Sequence, residues 1–360
     1  MKNHIPLLLP ITNIHWDKFN HLIGPASIEL GRFDGLLQTI PNPLVLLTPL
    51  TTKEAVLSSK IEGTHATLEE VLKFEADPRK ENKKYDDIYE IINYRNALNN
   101  SIDEIKKLSL SLRVIRNAHN LLLQGVRGEN KDRGNFRKLQ VFIGKLGANI
   151  ENATYIPPTA ERINDLMSNL EKYIHNDEKD VLVQLAIIHA QFEMVHPFMD
   201  GNGRVGRMLI PLFLYFKNAI YYPSFYLSEY LESHREEYYN ALSEISKNNA
   251  WENWIGFFLQ AIIIQAKENT IKAKNIMNLY EKNKKKIAKI TKSPFCISIL
   301  DSLFIMPIFN SSDFIEISKV TKASAFRFLK LLRDNNIVST IGDKKKNKLY
   351  SFDELLSIVN

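Results

Sequence analysis

The sequence predicts a mainly α-helical protein with one short β-hairpin and a small separate unit at its C-terminal end. Apolar residues recur at spacings of three and four, as over 69–74, 88–99 and 113–124, which is the signature of helices with one buried face. Only 14 Gly and 14 Pro punctuate 360 residues, and they gather in a few places. A convincing β signal occurs once, in Gln140-Val141-Phe142-Ile143 and, after a turn rich in Gly, Asn and Ala, Thr154-Tyr155-Ile156.

The length exceeds one ordinary domain. We divide the chain into a helical region at 1–110, a central helical domain at 111–275, a basic linker at 276–292 and a terminal unit at 293–360. A hydrophobic share of 44% with 19 Phe and 14 Tyr suffices for a large core. The single cysteine, Cys296, excludes an internal disulfide and fits a reducing compartment. The apolar stretch at 5–11 is broken by Pro6 and Pro10, unlike a signal peptide. The run at 254–266 is interrupted by Gly256, Gln260 and Gln265 and is unsuited to spanning a membrane. A cytoplasmic protein that does not enter a membrane is the expectation. The net charge of +6 is concentrated in Lys282, Lys284, Lys285, Lys286 and Lys289, and in Lys344, Lys345, Lys346 and Lys348. Such clusters suit a solvated basic face or nucleic-acid contact.

In chain order, the hairpin centres on 144–152 and stops at Pro157 and Pro158, after which Thr159 caps a helix through 173. The run 181–195 is apolar on nearly all sides, as a fully buried helix requires. A helix over 204–216 contains Pro211, a local irregularity. Helices over 229–245 and 251–274 follow, and the lysine-rich, weakly apolar 278–291 reads as a helical or flexible linker.

Between the buried helix and the one opened by Arg204 lies His196-Pro197-Phe198-Met199-Asp200-Gly201-Asn202-Gly203-Arg204-Val205-Gly206-Arg207. Backbone N–H groups of a glycine-containing turn form a nest for anions, and the following helix adds its free donors and dipole. Gly201 and Gly203 permit positive φ and close approach of phosphate oxygens. Arg204 and Arg207 are three apart and project from one turn. Asp200 is a hard oxygen ligand suited to Mg²⁺, and His196 can take a proton near neutral pH. Base, metal ligand, nest and two cations are the parts that phosphoryl or nucleotidyl transfer needs. Phe198 reads as a core anchor of the loop. Gly201, Gly203 and Gly206 also spell G-x-G-x-x-G, but a helix precedes them where the dinucleotide fingerprint needs a strand.

This segment resembles the H-P-F-x-D-G-N-G-R-x-x-R signature of Fic-domain proteins at every defining position. Gly134-Asn135-Phe136-Arg137, Gln140–Gly144 and Tyr155-Ile156-Pro157-Pro158 resemble the flap hairpin of that family, and the likeness extends over nearly the whole chain. It implies a helical Fic fold whose usual activity moves AMP from ATP to a protein hydroxyl, with pyrophosphate leaving. His196 would be the general base and Asp200 the Mg²⁺ ligand. Gly201, Asn202 with its side chain, and Gly203 would bind the α- and β-phosphates. Arg204 and Arg207 would hold the β- and γ-phosphates, with Val205 and Gly206 on the same ATP-binding turn. The flap residues Val141, Phe142, Ile143 and Gly144 would pin the protein substrate as an added strand. Tyr238 and Tyr239 resemble a tyrosine pair on the adenine side, although helix packing is an equal reading for Tyr238.

Upstream, Ser58, Glu62 and Gly63 match the inhibitory pattern [ST]-x-x-x-E-[GN] of the same family. Ser58 would cap or punctuate a helix, and Gly63 suits the position beyond a helix end. Glu62 would pair with Arg207 and take the place of the γ-phosphate, holding ATP out of line for attack.

The terminal unit reads as helix, turn, a second helix at 321–332 and a β-wing, the order of a winged helix, and resembles the module appended to Fic proteins of this type. If it binds DNA, 321–332 would enter the groove and Lys344–Lys348 would touch phosphates. A protein-docking or dimerisation module is the competing reading. Other functions stay open: transfer of another phosphate-containing group, removal of AMP, or a nucleotide-sensing DNA-binding regulator. His189, seven residues before His196, opens a weaker metal-hydrolase reading against that of a core histidine.

Overall fold

The computed structural model describes residues 3–40, 42–78, 84–144, 149–342 and 348–360. The helices α1 (Asn20–Gln38), α2 (Leu44–Ile61), α3 (Leu68–Ala76), α4 (Tyr85–Leu108) and α5 (Leu112–Leu122) precede a long irregular stretch. Then come α6 (Ile163–His175), α7 (Val181–Val195), α8 (Asn202–Phe216), α9 (Ser228–Ser233), α10 (Arg235–Asn248) and α11 (Trp251–Thr291).

The centre of the core is α7. Asp180 starts it, accepting from the amides of Leu182 and Val183 at 2.9 and 3.0 Å. It is buried on nearly every side and packs against α1, α6, α8, α10 and α11. Gln184 donates to the carbonyls of Tyr173 and Asn176, and Trp254 of α11 donates to that of Ala186, which ties the helix to its neighbours. The helix ends because His196 takes a left-handed backbone, φ 48°.

Four expectations need correction. The helix expected at 251–274 runs unbroken to Thr291, 41 residues in all, because Ile276, Leu279, Asn283 and Ile287 keep a buried stripe at helical spacing. The lysines between them face outward: Lys282 pairs with Glu354, and Lys286 donates to the carbonyl of Asn335. The helix expected at 229–245 breaks at His234, where Ser233 Oγ and the His234 ring compete for the Tyr230 carbonyl. Residues 160–162 form a single 3-10 turn before α6 begins. The hairpin shrinks to one antiparallel bridge, Ile143 to Tyr155. The carbonyls a longer ladder would use are taken. Arg137 donates to those of Leu139 and Pro158, Gln140 Nε2 to those of Val141 and Pro157, and the His4 amide to that of Ile156. Pro157 and Pro158 have no N–H to offer. The turn at 145–148 lies outside the described residues.

After α11 the chain forms α12 (Cys296–Ile305), β1 (Ile308–Phe309), α13 (Ser311–Ser318), α14 (Lys322–Asp334), β2 (Ser339–Ile341), β3 (Leu349–Ser351) and α15 (Asp353–Val359). The three strands make an antiparallel sheet in the order β1-β3-β2, with Phe309 opposite Tyr350 and Ser339 opposite Ser351. Lys344, Lys345 and Lys346 lie outside the described residues. This part packs on α11, on α2 through α12 and α15, and on α3 through β1. Among the described residues no helix is long and apolar enough to cross a membrane.

Candidate active site

The loop between α7 and α8 is held from both sides by side chains distant in sequence. Arg137, almost wholly buried, donates from Nε to the His196 carbonyl at 2.9 Å, and its amide donates to that of Pro197. On the other side, His119 of α5 stacks on Phe198 with ring centroids 3.8 Å apart. Its Nδ1 accepts from the Gly134 amide at 2.9 Å, so Nε2 carries the proton and donates to the Asp200 carbonyl at 3.0 Å. Inside the loop, Asn202 Oδ1 accepts from the Phe198 amide and Nδ2 donates to the Phe198 carbonyl. The expected contact of the Asn202 side chain with phosphate is thus corrected: both of its ends are spent on closing the loop. Gly201 takes φ 74° at the turn into α8, where any Cβ would be strained.

Burial lowers the His196 imidazole to about 4, against the opposing pull of the Glu62 carboxylate. The ring is therefore neutral at physiological pH and able to accept a proton. Nδ1 is sealed from solvent and the Glu193 carbonyl is the backbone group that acts on the ring, which leaves Nε2 as the nitrogen open to a substrate. The Asp200 carboxyl loses some stability as an anion through burial, but Lys131 Nζ at 3.0 Å and Arg204 hold it below its ordinary value.

Arg204 donates from Nη1 to Glu90 of α4 at 3.0 Å, an ion pair in which both side chains are nearly inaccessible. Thr64, just past the inhibitory pattern, donates to the same carboxylate oxygen at 3.0 Å. Arg207 lies deeper still. Its Nη2 donates to Glu62 Oε1 at 2.6 Å and to the Ser58 carbonyl at 2.8 Å, and its Nε to Ser58 Oγ at 2.9 Å. Burial raises the Glu62 carboxyl, and Arg207 outweighs it, so the group stays charged. Ser58 therefore does not cap α2, as the sequence suggested; it sits inside the helix as a second acceptor for Arg207. Glu62 follows the last residue of α2, and Gly63 takes φ 93° beyond it. Gly203 makes this approach possible: a Cβ there would stand 2.2 Å from Glu62 Oε1.

One further expectation changes, and one open reading is decided. The Val205 side chain is buried between α5 and α8 and faces away from the loop. Tyr238 is also a core residue, its hydroxyl 2.9 Å from His189 Nε2. The second nitrogen of His189 lies 3.1 Å from the Gly206 carbonyl. Burial holds that ring down to about 3, so His189 is a packed core histidine. Tyr239, by contrast, is 42% exposed and lines a cleft of about 390 Å³ with Ile143, Gly144, Tyr155 and Glu193. Val141 is half-buried and Phe142 exposed. His119, Glu90 and Glu193 were not singled out in the sequence. The only signal was the presence of polar residues at buried-face positions of α4, α5 and α7.

A helical fold with a glycine turn between two buried helices, two inward arginines and a neutral histidine is an arrangement suited to phosphate oxygens. Comparison with known proteins agrees. The Fic/DOC family N-terminal model matches residues 20–103 and the Fic/DOC family model residues 109–214, together slightly over half of the chain. The chain belongs to the Fic/DOC family. It is 29% identical over 202 residues to a probable protein adenylyltransferase of Aquifex aeolicus, covering 54% of this chain and 55% of that protein. To the protein adenylyltransferase Fic of Drosophila grimshawi it is 28% identical over 109 residues, 29% of this chain and 20% of that one. The chain thus spans about half the length of the first relative and a fifth of the second. A crystal structure of a Fic family protein from Desulfovibrio desulfuricans G20 has the same fold, with a TM-score of 0.61 at 20% identity over 95% of this chain and 98% of that one. A Fic domain containing signaling protein from Bacteroides thetaiotaomicron gives 0.53 at 16% identity, over 69% and 97%.

Proposed function

We propose that the protein is a self-inhibited nucleotidyltransferase that moves AMP from ATP to Ser, Thr or Tyr hydroxyls of proteins, its own chain among the candidates. The observation that carries this reading is the Glu62–Arg207 pair, a carboxylate seated in the anion cup of α8 where a terminal phosphate would bind. His196 takes the proton of the attacking hydroxyl as its oxygen bonds the α-phosphorus. The bond from that phosphorus to the α–β bridging oxygen breaks, and pyrophosphate leaves with the electron pair. The amides at the start of α8 and the freed guanidinium of Arg207 bind phosphate oxygens, and Arg204 stays oriented by Glu90. Asp200 suits Mg²⁺: it is ionised, partly exposed and already faced by a cation, Lys131. One carboxylate would be enough where phosphate oxygens and water supply the other ligands. The ion would neutralise charge on those oxygens. The exposed edge beside Ile143 is the place for a protein segment to add as a strand.

We further read the terminal unit as a winged helix, which its helix–strand–helix–helix–strand–strand order supports. The outward face of α14 carries Lys322, Arg327 and Lys330 beside an exposed Phe326, a mixture better suited to protein docking than to phosphate.

The test uses ATP labelled at either the α- or the γ-phosphorus with the Glu62→Gly protein and lysate. Protein-bound label is expected from the α-position only. Label arriving from the γ-position would make the protein a kinase and overturn the reading.

A further inference from the structure

We infer that Glu193 reads a hydrogen-bond donor of the nucleoside and so helps set which nucleoside triphosphate the site accepts. The inference rests on the nucleotidyl-transfer reading above and deepens it. Glu193 lies on α7 one turn before His196 and lines the 390 Å³ cleft with Tyr239, Tyr155, Met194 and Arg235. The cleft adjoins the loop that would hold the phosphates, and the half-exposed ring of Tyr239 offers a face for a base.

Among the described residues the Glu193 carboxyl has no hydrogen-bond or ion-pair partner, and its Oε1 is sealed from solvent. Every other buried carboxylate near the site is engaged: Glu54 by Ser228 and Tyr94, Glu90 by Arg204 and Thr64, Glu62 by Arg207. The chain makes room for this one. At Gly206 a Cβ would stand 2.1 Å from Glu193 Oε1, so the carboxyl rests on bare backbone of α8. Burial pushes it up to about 7, against the pull of Arg207. Leaving a buried carboxyl unpaired is unfavourable, so a partner supplied by a ligand explains its place in the cleft. A carboxylate accepts N–H and O–H donors, and a purine ribonucleotide offers two kinds: the exocyclic amine of the base and the ribose hydroxyls.

The experiment measures calorimetric Kd values in Mg²⁺ on full-length Glu62→Gly protein, with and without Glu193→Ala. The ligands are ATP, 2′-deoxy-ATP, 3′-deoxy-ATP and inosine triphosphate, in which a carbonyl replaces the amine. The parent is expected to prefer ATP over one analogue by at least about tenfold. Which analogue is rejected says whether base or sugar supplies the donor. Glu193→Ala should bring that pair within about threefold while retaining Tm. Glu193→Gln, of the same shape, guards against misfolding and should weaken the preference in the same sense. An unchanged preference in either folded variant, or no preference in the parent, overturns the role of Glu193 alone. A parent that binds no triphosphate overturns the transferase reading and this inference with it.

Discussion

His196 holds a left-handed backbone, φ 48°, which an L-residue adopts only when its surroundings impose it. The group that holds it is Arg137, which ties the His196 carbonyl to those of Leu139 and Pro158 at the flap stem. Arg137→Ala should therefore lower kcat by roughly a hundredfold through misplacement of the base, with Tm falling as well. Arg137→Lys should rescue little, since an ammonium cannot serve the three acceptors in one plane. Because burial lowers the His196 ring to about 4, the acid limb of kcat/KM in the Glu62→Gly protein should fall below pH 5. A limb near 6.5 would mean that the ring is solvated. The stretch from His196 to Arg207 was legible in the sequence because its chemistry is local: nest, helix start and two arginines lie on consecutive turns. Asn202 was misread because its partner is the backbone of its own loop. Arg204 and His119 depend on Glu90 and Gly134, whose proximity only the fold creates.

At the scale of elements, α2 acts as the holder of the inhibitory carboxylate. Glu54 fastens it by accepting from Ser228 Oγ at 2.6 Å and Tyr94 at 3.1 Å, and Lys53 pairs with Glu229 at 2.9 Å. Ser58 one turn on meets Arg207, and Glu62 completes the grip. Ser58→Ala should thus release the brake in part, giving an activity between those of wild type and Glu62→Gly. An activity below that of wild type would show that Ser58 serves catalysis instead. The inhibitory pattern was readable from three residues, but not the division of labour between Ser58 and Glu62, which needs the depth of Arg207. The same limit explains α11. Its stripe of Ile276, Leu279 and Ile287 is sparse among lysines, and burial by the terminal unit gives it meaning.

At the scale of the whole molecule, three histidines are held neutral, His119 and His189 fully buried and His196 half-buried: His119 at about 4, His189 at about 3 and His196 at about 4, each depressed by desolvation. Unfolded, they titrate near 6.5, so below that pH the unfolded chain binds more protons than the folded one. Their contribution is intact above about pH 6.5 and is lost as pH falls toward 4, at about 1.4 kcal/mol per unit for each ring. Tm should drop steeply between pH 6 and 4.5, and a His189→Gln variant that folds should show a shallower slope. The terminal unit packs on α2 and α3, so the fold joins a surface-facing module to the element that carries the brake. The central claim is that the catalytic loop is complete and Glu62 holds it off. Its most direct test is the initial rate of label incorporation from α-labelled ATP by wild type, Glu62→Gly and the Glu62→Gly/His196→Ala double variant. The account predicts a rise of at least about tenfold on removing Glu62, as expected for loss of a charge-assisted pair at the phosphate position, and a return to background on removing His196. A folded Glu62→Gly protein no faster than wild type would contradict it.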